Sequence, residues 1–259
     1  MQIDLSDSAD LESALAGVNV VYHLAAVSNV NHVFAAPLES VLVNTHGTAA
    51  VLEAARRGGV ERVLFASTVW VYGSARQTEV DEDAPFYMPG AGHLYTSSKI
   101  ASEFFCHDYW QLYGLPFTIL RYGIPYGPRA RSGTVISIFV DKALKGETIT
   151  ITGDGGQYRN FVYVEDLAEG NVLALDEVAK CQTYNLEGPE KVTIRQLAET
   201  VRDIIGDVNI EYTPARPGDY AGKEVSAEKA RRELGWECKT PLHKGMELYI
   251  EWVKQQRQQ

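Results

Sequence analysis

Cysteine is scarce in this sequence, with three residues among 259, at Cys106, Cys181 and Cys238. Their number is odd and they lie far apart, which excludes the paired spacing of a structural zinc site and offers no disulfide framework. We therefore expect no metal site and a reducing, cytoplasmic environment. The expected role of the three thiols is that of small buried apolar side chains.

Long apolar runs and an excess of positive charge are also absent. No stretch approaches the ~20 residues of a membrane-spanning helix, and the N-terminus does not resemble a signal peptide. The formal net charge of −10 argues against a general nucleic-acid surface or acidic-membrane surface. We predict no nucleic-acid partner and no membrane partner, while an anionic small molecule is compatible with a local group of arginines.

The first half of the chain contains an alternation of strand-like and helix-like patterns. Apolar runs predict strands at 18–25, 62–67 and 116–121, and periodic segments predict helices at 7–16, 38–57 and 96–113. Ser6 or Asp7 is the expected cap of the first helix. The alternation indicates an α/β fold with a doubly wound parallel sheet. The run at 18–25 is apolar throughout, which predicts a strand buried on both faces.

After Gly127 the turns become denser, and helices and short strands mix irregularly. Helices are predicted at 135–145, 165–175, 194–205, 227–234 and 242–255, and short strands near Ile149, Tyr163, Tyr184 and Ile210. We interpret residues 128–259 as a smaller α/β lobe. It is interleaved with the last core strands, because 162–163 and 184–186 can return to the main sheet. One large core with a smaller lobe suits a chain of this length.

A tyrosine and a lysine four residues apart, Tyr95 and Lys99, form the clearest chemical pattern. Residues at this spacing share one face of a helix, and an ammonium beside a phenol favours the phenolate form. Thr68 follows a predicted strand, and its hydroxyl could orient a substrate alcohol. Together the three groups can take a proton from a carbinol while a hydride leaves its carbon. Because Tyr-x-x-x-Lys alone is common, the inference depends on the surrounding segments.

Nine segments in order along the chain strengthen this inference. They are "DLSD", "VYHLAA", "VNTHGT", "STVWVYG", "YTSSK", "LRYGIPYGP", "GDGGQYRNFVYVEDLAEG", "YNLEG" and "RPGDY". From Asp4 nearly to the C-terminus, the chain resembles the extended short-chain dehydrogenase/reductases, in the NAD-dependent epimerase/dehydratase family that acts on nucleotide sugars. The resemblance implies a Rossmann-like sheet, NAD as cofactor and a nucleoside-diphosphate sugar as substrate. It also implies a homodimer packed through the helices that carry Asn44 and Tyr95.

The glycine-rich turn G-x-x-G-x-x-G that opens this family does not occur in the sequence. The glycine cluster at 153–156 comes too late and is typical of a turn. Compared with a complete family member, about 50–60 residues are missing, the size of two βα units. We expect residues 1–127 to be a partial NAD-binding domain with the Tyr–Lys pair, and 128–259 to be mainly a substrate-binding lobe. A fragment, a mis-started reading frame and a naturally shortened protein all fit this pattern.

By resemblance, the cofactor binds along the carboxyl edge of the sheet. The cofactor-binding residues implied are Asp4, Leu5, Leu24, Ala25, Ala26, Asn44, Ser67, Tyr95, Lys99 and Tyr122. Asp4 would hydrogen-bond the adenine amino group with Leu5 against the ring, or it caps a helix. Asn44 would support the active-site helix, or it is an ordinary buried polar group. We interpret His23 as a satisfied core histidine rather than a catalyst.

The resemblance also implies a set of substrate-binding residues, namely Thr68, Tyr95, Arg159, Arg216 and Asp219. Arg159 and Arg216 would hold the diphosphate, since a guanidinium offers bidentate geometry and a permanent charge. Asp219 would bind the nucleotide ribose. Many epimerases of the family have Phe-Asn where this chain has Gly123-Ile124, which leaves the pose of the sugar diphosphate open.

The catalytic residues implied are Thr68, Tyr95 and Lys99, with Ser67 as the alternative hydroxyl. Relatives that dehydrate sugars resemble Thr-Asp-Glu from the position of Thr68 onward. This chain has Val69 and Trp70 there, and neither can transfer a proton. We therefore predict an epimerase, similar to a UDP-hexose 4-epimerase, that works through transient oxidation to a 4-keto sugar. The alternatives are an NAD(P)-dependent nucleotide-sugar reductase or dehydratase, and a catalytically silent fragment or scaffold.

Overall fold

The chain is organised as two compact units. The computed structural model describes residues 3–5, 7–73, 75, 78–86, 92–214 and 223–258. The first unit consists of Met1–Tyr122, Asn171–Asn185 and Val225–Trp236. The second unit consists of Gly123–Gly170, Leu186–Glu224 and Glu237–Gln259.

Helices and strands alternate in the first half of the chain. In order they are α1 (Ser8–Leu15), β1 (Val20–His23), α2 (Val30–Ala35), α3 (Pro37–Val41), a π-helical turn (Leu42–His46), α4 (Gly47–Gly58), β2 (Arg62–Thr68), a 3-10 turn (Val69–Tyr72), β3 (Glu79–Val80), α5 (Leu94–Tyr113) and β4 (Phe117–Tyr122). Asp7 caps α1 by accepting from the backbone N–H of Ala9 and Asp10. Gly114 ends α5 in the left-handed conformation at φ 70°.

The second half of the chain mixes shorter elements. In order they are β5 (Ile124–Tyr126), α6 (Val135–Leu144), β6 (Ile149–Thr152), β7 (Tyr158–Tyr163), α7 (Val164–Leu173), a 3-10 turn (Glu177–Ala179), β8 (Gln182–Leu186), β9 (Lys191–Thr193), α8 (Ile194–Ile205), β10 (Ile210–Thr213), β11 (Glu224–Val225), α9 (Glu228–Leu234) and α10 (Leu242–Gln258). The five predicted helices are α6 to α10. Thr193 and Gln196 form a capping box that starts α8 where the sequence predicts it.

The main sheet has the strand order β1-β2-β4-β8. Strands β1, β2 and β4 run parallel, with His23 opposite Phe65 and Ser67 opposite Arg121. All seven residues of β2 are buried, as a central strand of an α/β sheet requires. The predicted α/β fold with a parallel central sheet is confirmed, and the carboxyl ends of its parallel strands share one edge.

Strand β1 differs from the prediction in length and in burial. It covers four residues rather than 18–25, and Tyr22 is 38% exposed while His23 is buried. In the described part of the chain β1 has β2 as its one neighbour in the main sheet. The prediction of burial on both faces was wrong, because an apolar run does not distinguish an edge strand from a central one.

The predicted helix at 38–57 is divided by the π-helical turn. Pro37 begins α3, a position where its missing N–H costs little. The turn at 42–46 places Asn44 in the interior, and α4 then continues until Gly59 adopts φ 69°. A π-helical turn adds a residue to one turn and is frequent at functional sites. The periodic pattern of apolar residues does not show this extra residue.

The second unit has two small sheets and its own core. One sheet has the order β5-β7-β9, and the other pairs β6 with β10. They share an apolar core with α6, α8 and α10, in which Ile149, Ile151, Leu197 and Met246 are fully buried. The prediction that 162–163 return to the main sheet was wrong, because β7 pairs with β5 and β9. The same prediction for 184–186 is confirmed by β8.

The three cysteines have different environments. Cys106 lies in the core of the first unit, whereas Cys181 and Cys238 are half-buried. The expected burial is therefore correct for Cys106 alone. Within the described ranges, no helix combines the length and the apolar character needed to cross a membrane. The same ranges contain no group of three His, Cys, Asp or Glu side chains placed to hold a metal ion.

Candidate active site

The end of β2 positions Thr68 at the carboxyl edge of the main sheet. Thr68 is 7% exposed, and its Oγ1 accepts a hydrogen bond from the backbone N–H of Trp70 at 3.3 Å. Its extended backbone and this bond make Thr68 the cap of the 3-10 turn. Ligands of open α/β sheets bind at the carboxyl ends of the strands. Thr68 is thus located where a reacting group is expected.

Helix α5 carries the Tyr–Lys pair in its first two turns. Tyr95 is half-buried, and Lys99 one turn later is 4% exposed. The Nζ of Lys99 donates a 2.6 Å hydrogen bond to the carbonyl oxygen of Ala66 and lies 4.7 Å from the centre of the Phe65 ring. The ammonium therefore joins the start of α5 to the end of β2, two residues before Thr68.

Opposing influences set the pKa of Lys99. Burial lowers its pKa to about 8, and Cys106 and Glu103 on the same helix act in the opposite direction. At pH 7 most of the population is therefore still ammonium, the form that favours a phenolate on a neighbouring tyrosine. Thr68 at the end of β2 and Tyr95 and Lys99 at the start of α5 all belong to the first unit, and their catalytic roles stay predictions.

The start of α5 is fixed by His93, which the sequence did not single out. Its Nδ1 accepts a hydrogen bond from the backbone N–H of Thr96 at 3.3 Å. Burial lowers the pKa of His93, which keeps Nδ1 available as an acceptor at neutral pH. Histidine is not among the usual N-cap residues, so no capping signal in the sequence identified it.

The hydroxyl of Ser67 already has a hydrogen-bond partner within the protein. Its Oγ donates to Oε1 of Glu103 on α5. Glu103 also forms a buried ion pair with Arg121 of β4, at 2.7 Å from Nη2 and 3.0 Å from Nε. The side chains of Glu103 and Arg121 are 3% and 6% exposed. The predicted cofactor contact of Ser67 stays a prediction, while its hydroxyl in this structure joins β2 to α5.

The buried ion pair continues into a longer polar network. Arg121 donates to the hydroxyl of Tyr72, and Tyr72 donates its own proton to Oδ1 of Asn185 at 2.9 Å. Asn185 in turn donates to the backbone oxygen of Ser226 at 2.9 Å. The Arg121 guanidinium also lies 5.0 Å from the Tyr72 ring and 5.2 Å from the Phe86 ring. The sequence contained one signal of this network, which is the presence of Arg121 in the buried strand β4.

Asn44 bridges the loop after β1 and helix α5. Its Oδ1 accepts from the backbone N–H of Val27 at 2.7 Å, and its Nδ2 donates to the Val27 carbonyl at 3.0 Å. The same Nδ2 is 3.2 Å from the hydroxyl of Ser98. Both ends of the amide thus contact protein groups. This geometry accords with support of the active-site helix, and direct contact with a cofactor stays a prediction.

His23 is a neutral, satisfied core histidine, as interpreted from the sequence. Its Nε2 lies 2.9 Å from Oγ1 of Thr48, and Thr48 donates its proton to the carbonyl oxygen of Asn44. Nε2 must therefore carry the proton of the imidazole. Burial first, and the charge of Lys99 second, lower the pKa of His23 to about 4.

The loop after His23 suits a dinucleotide. Leu24 and Ala25 are exposed and Ala26 is half-buried, at the carboxyl end of β1. The small side chains of Ala25 and Ala26 at this edge let a dinucleotide approach the backbone closely. Lys99 is bound to the neighbouring strand, because its hydrogen-bond partner Ala66 lies on β2, which pairs with β1. The residues present therefore fit NAD, with this loop and Lys99 as the groups that would hold it.

Asp4 and Leu5 have separate environments before α1. Asp4 is exposed, and its backbone oxygen accepts from the N–H of Asp7 at 3.0 Å. Leu5 is half-buried and packs in the small cluster around Leu11 and Val51. Exposure of Asp4 is compatible with the predicted adenine contact, whereas Leu5 is largely engaged by the protein. Both cofactor roles stay predictions.

Tyr122 ends β4 with its hydroxyl bound to the protein. It donates to Oδ1 of Asn171, and the hydroxyl of Tyr22 donates to the backbone oxygen of the same residue at 3.1 Å. Burial raises the pKa of Tyr122, so it is a neutral phenol. These contacts do not test the predicted position of Tyr122 near a nicotinamide.

Arg159, one of the two predicted diphosphate residues, lies in the second unit. Arg159 is half-buried on β7, and its Nη1 donates to the backbone oxygen of Tyr158 at 2.7 Å. Arg216 and Asp219 lie outside the described residues. The structure therefore places one of the three residues and leaves their joint role as a prediction.

The departure at Gly123 has a structural explanation. A Cβ atom at this position would collide with the side chains of Glu187 and Val162. Glu187 is buried, accepts a 3.2 Å bond from the N–H of Gly188, and has its pKa raised well above the usual range by burial. The carboxyl of Glu187 thus fills the space that a larger residue at position 123 would need.

A parallel sheet with a hydroxyl at the end of one strand and a Tyr-x-x-x-Lys helix beside it defines the short-chain dehydrogenase/reductase class. Residues 1–186 match the model of the NAD dependent epimerase/dehydratase family. The chain belongs to this family. The family, the fold and the NAD cofactor predicted from the motifs are confirmed.

Individual relatives carry different activities. The chain is 31% identical to dTDP-D-glucose 4,6-dehydratase from Mus musculus over 245 residues, which is 92% of this chain and 68% of that protein. It is similar to the structure of UDP-glucose 4-epimerase from Thermotoga maritima with UDP-glucose, with TM-score 0.92, 28% identity and coverage of 99% and 84%. For dTDP-glucose 4,6-dehydratase from Streptomyces venezuelae with NAD bound, the TM-score is 0.90 at 29% identity, covering 99% and 79%.

Family membership therefore leaves the reaction open. The relatives include dehydratases, epimerases and UDP-glucuronic acid decarboxylases. Their names share nucleotide-sugar substrates and differ in what happens to the sugar.

Proposed function

We propose that the protein is a nucleotide-sugar 4-epimerase that acts on a UDP-hexose through a transient 4-keto sugar. One observation carries the proposal. Lys99 joins the start of α5 to the end of β2 beside Thr68, while the two residues after Thr68 are Val69 and Trp70. This arrangement supports an acid/base role for Tyr95 with Lys99, and Val69 and Trp70 are side chains that cannot transfer a proton as the carboxyl groups expected in dehydrating relatives would.

The chain's own groups divide the work as follows. Thr68 hydrogen-bonds and orients the C4 hydroxyl of the sugar. Tyr95, as phenolate, takes the proton of that hydroxyl and later returns it, a role that depends on close positioning as well as basicity. Lys99 stays largely protonated at pH 7, since its pKa is about 8, and stabilises the phenolate. NAD, when bound, supplies a reversible hydride acceptor.

The substrate is an anionic nucleoside-diphosphate sugar, in line with the relatives. Arg159 on β7, together with Arg216 outside the described residues, is the proposed diphosphate contact. Guanidinium groups suit this task because they stay charged and bind two oxygens at once. Asp219 is the proposed ribose contact.

We also propose a homodimer formed through α2, α3 and α5. Large apolar side chains are exposed on these elements, with Phe34 at 89%, Leu38 at 86% and Phe104 at 49%. Neighbouring exposed apolar side chains mark association surfaces more often than isolated ones do. Leu38→Glu should shift the protein to monomer in sedimentation velocity. Val172→Glu, at an exposed position on α7, should not, and equal sedimentation of all three proteins would contradict the dimer.

The reaction is tested with UDP-glucose and NAD, followed by proton NMR and mass spectrometry. The expected result is interconversion of C4 epimers without net change in NADH absorbance. Solvent deuterium should not enter C4, because the hydride returns to the same carbon. Loss of water from the sugar would show a dehydratase, and stoichiometric consumption of reduced nicotinamide would show a reductase. Absence of NAD binding in a titration would favour the silent scaffold.

A further inference from the structure

A buried carboxylate lies one helical turn after Lys99. Glu103 is 2% exposed as a residue. It receives the guanidinium of Arg121 from β4 at 2.7 Å and the hydroxyl of Ser67 from β2. Residues four apart on a helix are neighbours, so Glu103 and Lys99 lie on the same side of α5. One side chain thus connects two strands and the predicted catalytic helix.

Burial acts strongly against the charge of Lys99. A buried ammonium loses its hydration, and the hydrogen bond to Ala66 at 2.6 Å replaces only part of it. Two groups on α5 would favour the ammonium if they were negative, namely Cys106 and Glu103. Burial raises the pKa of the Cys106 thiol far above neutral pH, so Cys106 is uncharged. Glu103 is then the anion on α5 that supports Lys99.

Among the described groups on the neighbouring strands, His23 and Arg121 do not supply a compensating anion. His23 on β1 is neutral above pH 4, because burial lowers its pKa to about 4. Arg121 on β4 brings a second cation to the same carboxylate. The phenol of Tyr95 on α5 is the group that Lys99 is proposed to serve. Burial therefore opposes the ammonium, and Glu103 favours it.

The carboxylate of Glu103 also contacts the strand end that carries Thr68. Its bond with Ser67 holds the residue immediately before Thr68. Ser67 is 3% exposed, and its partner across the sheet is Arg121. A shift of Glu103 would therefore move the end of β2 together with α5.

We propose that Glu103 is a positioning residue of this active site, which holds Lys99 in its ammonium form and, through Ser67, fixes the strand end that carries Thr68. This inference rests on the proposed function, in which the ammonium of Lys99 supports Tyr95. It assigns to the buried ion pair a task beyond stability, because a purely structural pair could be replaced without changing the protonation of a neighbour.

The test is a direct titration of Lys99 by NMR in protein labelled with 13C at lysine Cε, with Lys99→Arg to assign the resonance. In the wild type the midpoint should be close to pH 8. Glu103→Gln keeps the shape and one accepting oxygen, and removes the charge. It should lower the midpoint by about one to three units, the usual effect of one close opposite charge.

Two variants separate charge from packing. Ser67→Ala removes the hydrogen bond between β2 and Glu103 but keeps the carboxylate. The titration midpoint of Lys99 should therefore stay within experimental error of the wild type. Glu53→Gln, at a half-buried position on α4, should also leave it unchanged. If Glu103→Gln does not fold, Glu103→Asp decides, since the retracted carboxylate should still lower the midpoint. An unchanged midpoint in a folded Glu103 variant would overturn the proposal.

The titration needs no substrate, so it is independent of the epimerase assay. A wild-type protein without epimerase activity would contradict the proposed function and leave the Lys99 result standing. If the wild type is active, the alkaline limb of the kcat profile should move to lower pH in Glu103→Gln, with KM nearly unchanged. A uniform loss of kcat at every pH, without movement of that limb, would show a structural role alone.

Discussion

Trp70 and His93 lie with their ring centroids 5.1 Å apart, and the His93 ring is 6.0 Å from the ring of Tyr95. Trp70 belongs to the turn after β2, while His93 caps α5 through Thr96. The pair therefore joins the segment after Thr68 to the helix that begins at the candidate acid/base. Trp70 is one of the two residues on which the epimerase proposal rests, and its ring packs against the cap of α5.

Loss of this cap should destabilise the protein. His93→Ala removes the acceptor for the Thr96 N–H and should lower the free energy of unfolding by about 0.5–2 kcal/mol. His93→Asn restores a strong capping side chain and should recover most of the loss. Urea unfolding at pH 7 measures both. Equal stability of the wild type and His93→Ala would show that the bond at the helix start contributes little.

Replacement of the candidate acid/base should abolish most turnover without unfolding the chain. Tyr95→Phe removes the phenolic oxygen and should reduce kcat by about 10²–10⁴-fold. Tyr113→Phe, at an exposed position on the same helix, is the matched control and should keep wild-type activity. Epimer interconversion followed by NMR gives the rates, and circular dichroism checks the fold. A near-normal rate in Tyr95→Phe would remove Tyr95 from the mechanism.

The two adjacent hydroxyls should respond differently to deletion. Thr68→Val removes the hydroxyl proposed to orient the substrate and should lower kcat by roughly tenfold or more, the worth of one hydrogen bond. Ser67→Ala leaves a buried carboxylate with one partner fewer, so its main effect should be a lower unfolding free energy. Comparing kcat with urea stability separates them, and the larger kcat loss in Ser67→Ala would reassign the catalytic hydroxyl.

His23 should make the protein sensitive to mild acid. Its pKa is about 4 in the folded chain and about 6.5 when unfolded, so the unfolded state binds more protons between these values. Stability is then complete above pH 6.5 and falls as the pH drops towards 4, by up to about 3 kcal/mol. His23→Asn should remove this component from urea unfolding measured between pH 7 and 4.5.

The exposed His243 provides the control for that experiment. His243→Asn makes the same substitution at an exposed histidine, and its acid dependence is compared with that of the wild type and of His23→Asn. The difference between wild type and variant also cancels the titration of the carboxylates. Parallel stability curves for the wild type and His23→Asn would contradict the assignment of a buried neutral imidazole.

Local patterns were sufficient for most of the helices and for the central strand. Asp7, Gly114 and the Thr193–Gln196 box act through neighbours within a few residues, so their meaning can be read from the sequence. The Tyr95–Lys99 spacing is of the same kind, because a helix fixes which residues share a face. The ordered motifs gave the family and its cofactor.

Longer-range features could not be read in this way. The edge position of β1 and the pairing of β7 with β5 and β9 depend on which strands meet in space. The same is true of the π-helical turn at 42–46, where tertiary contacts rather than periodicity place Asn44 against Ser98.

By itself, the sequence determined the α/β alternation, the family and the residue types available for proton transfer, since these follow from periodicity and from the chemistry of single side chains. Tertiary structure decided which of those groups are buried, charged and in contact. Glu103 and Arg121 are 18 residues apart and meet only because α5 packs across β4. The lowered pKa of Lys99 likewise arises from burial against β2. Burial and long-range contact are properties of the folded chain, and they set the protonation states on which the proposed chemistry depends.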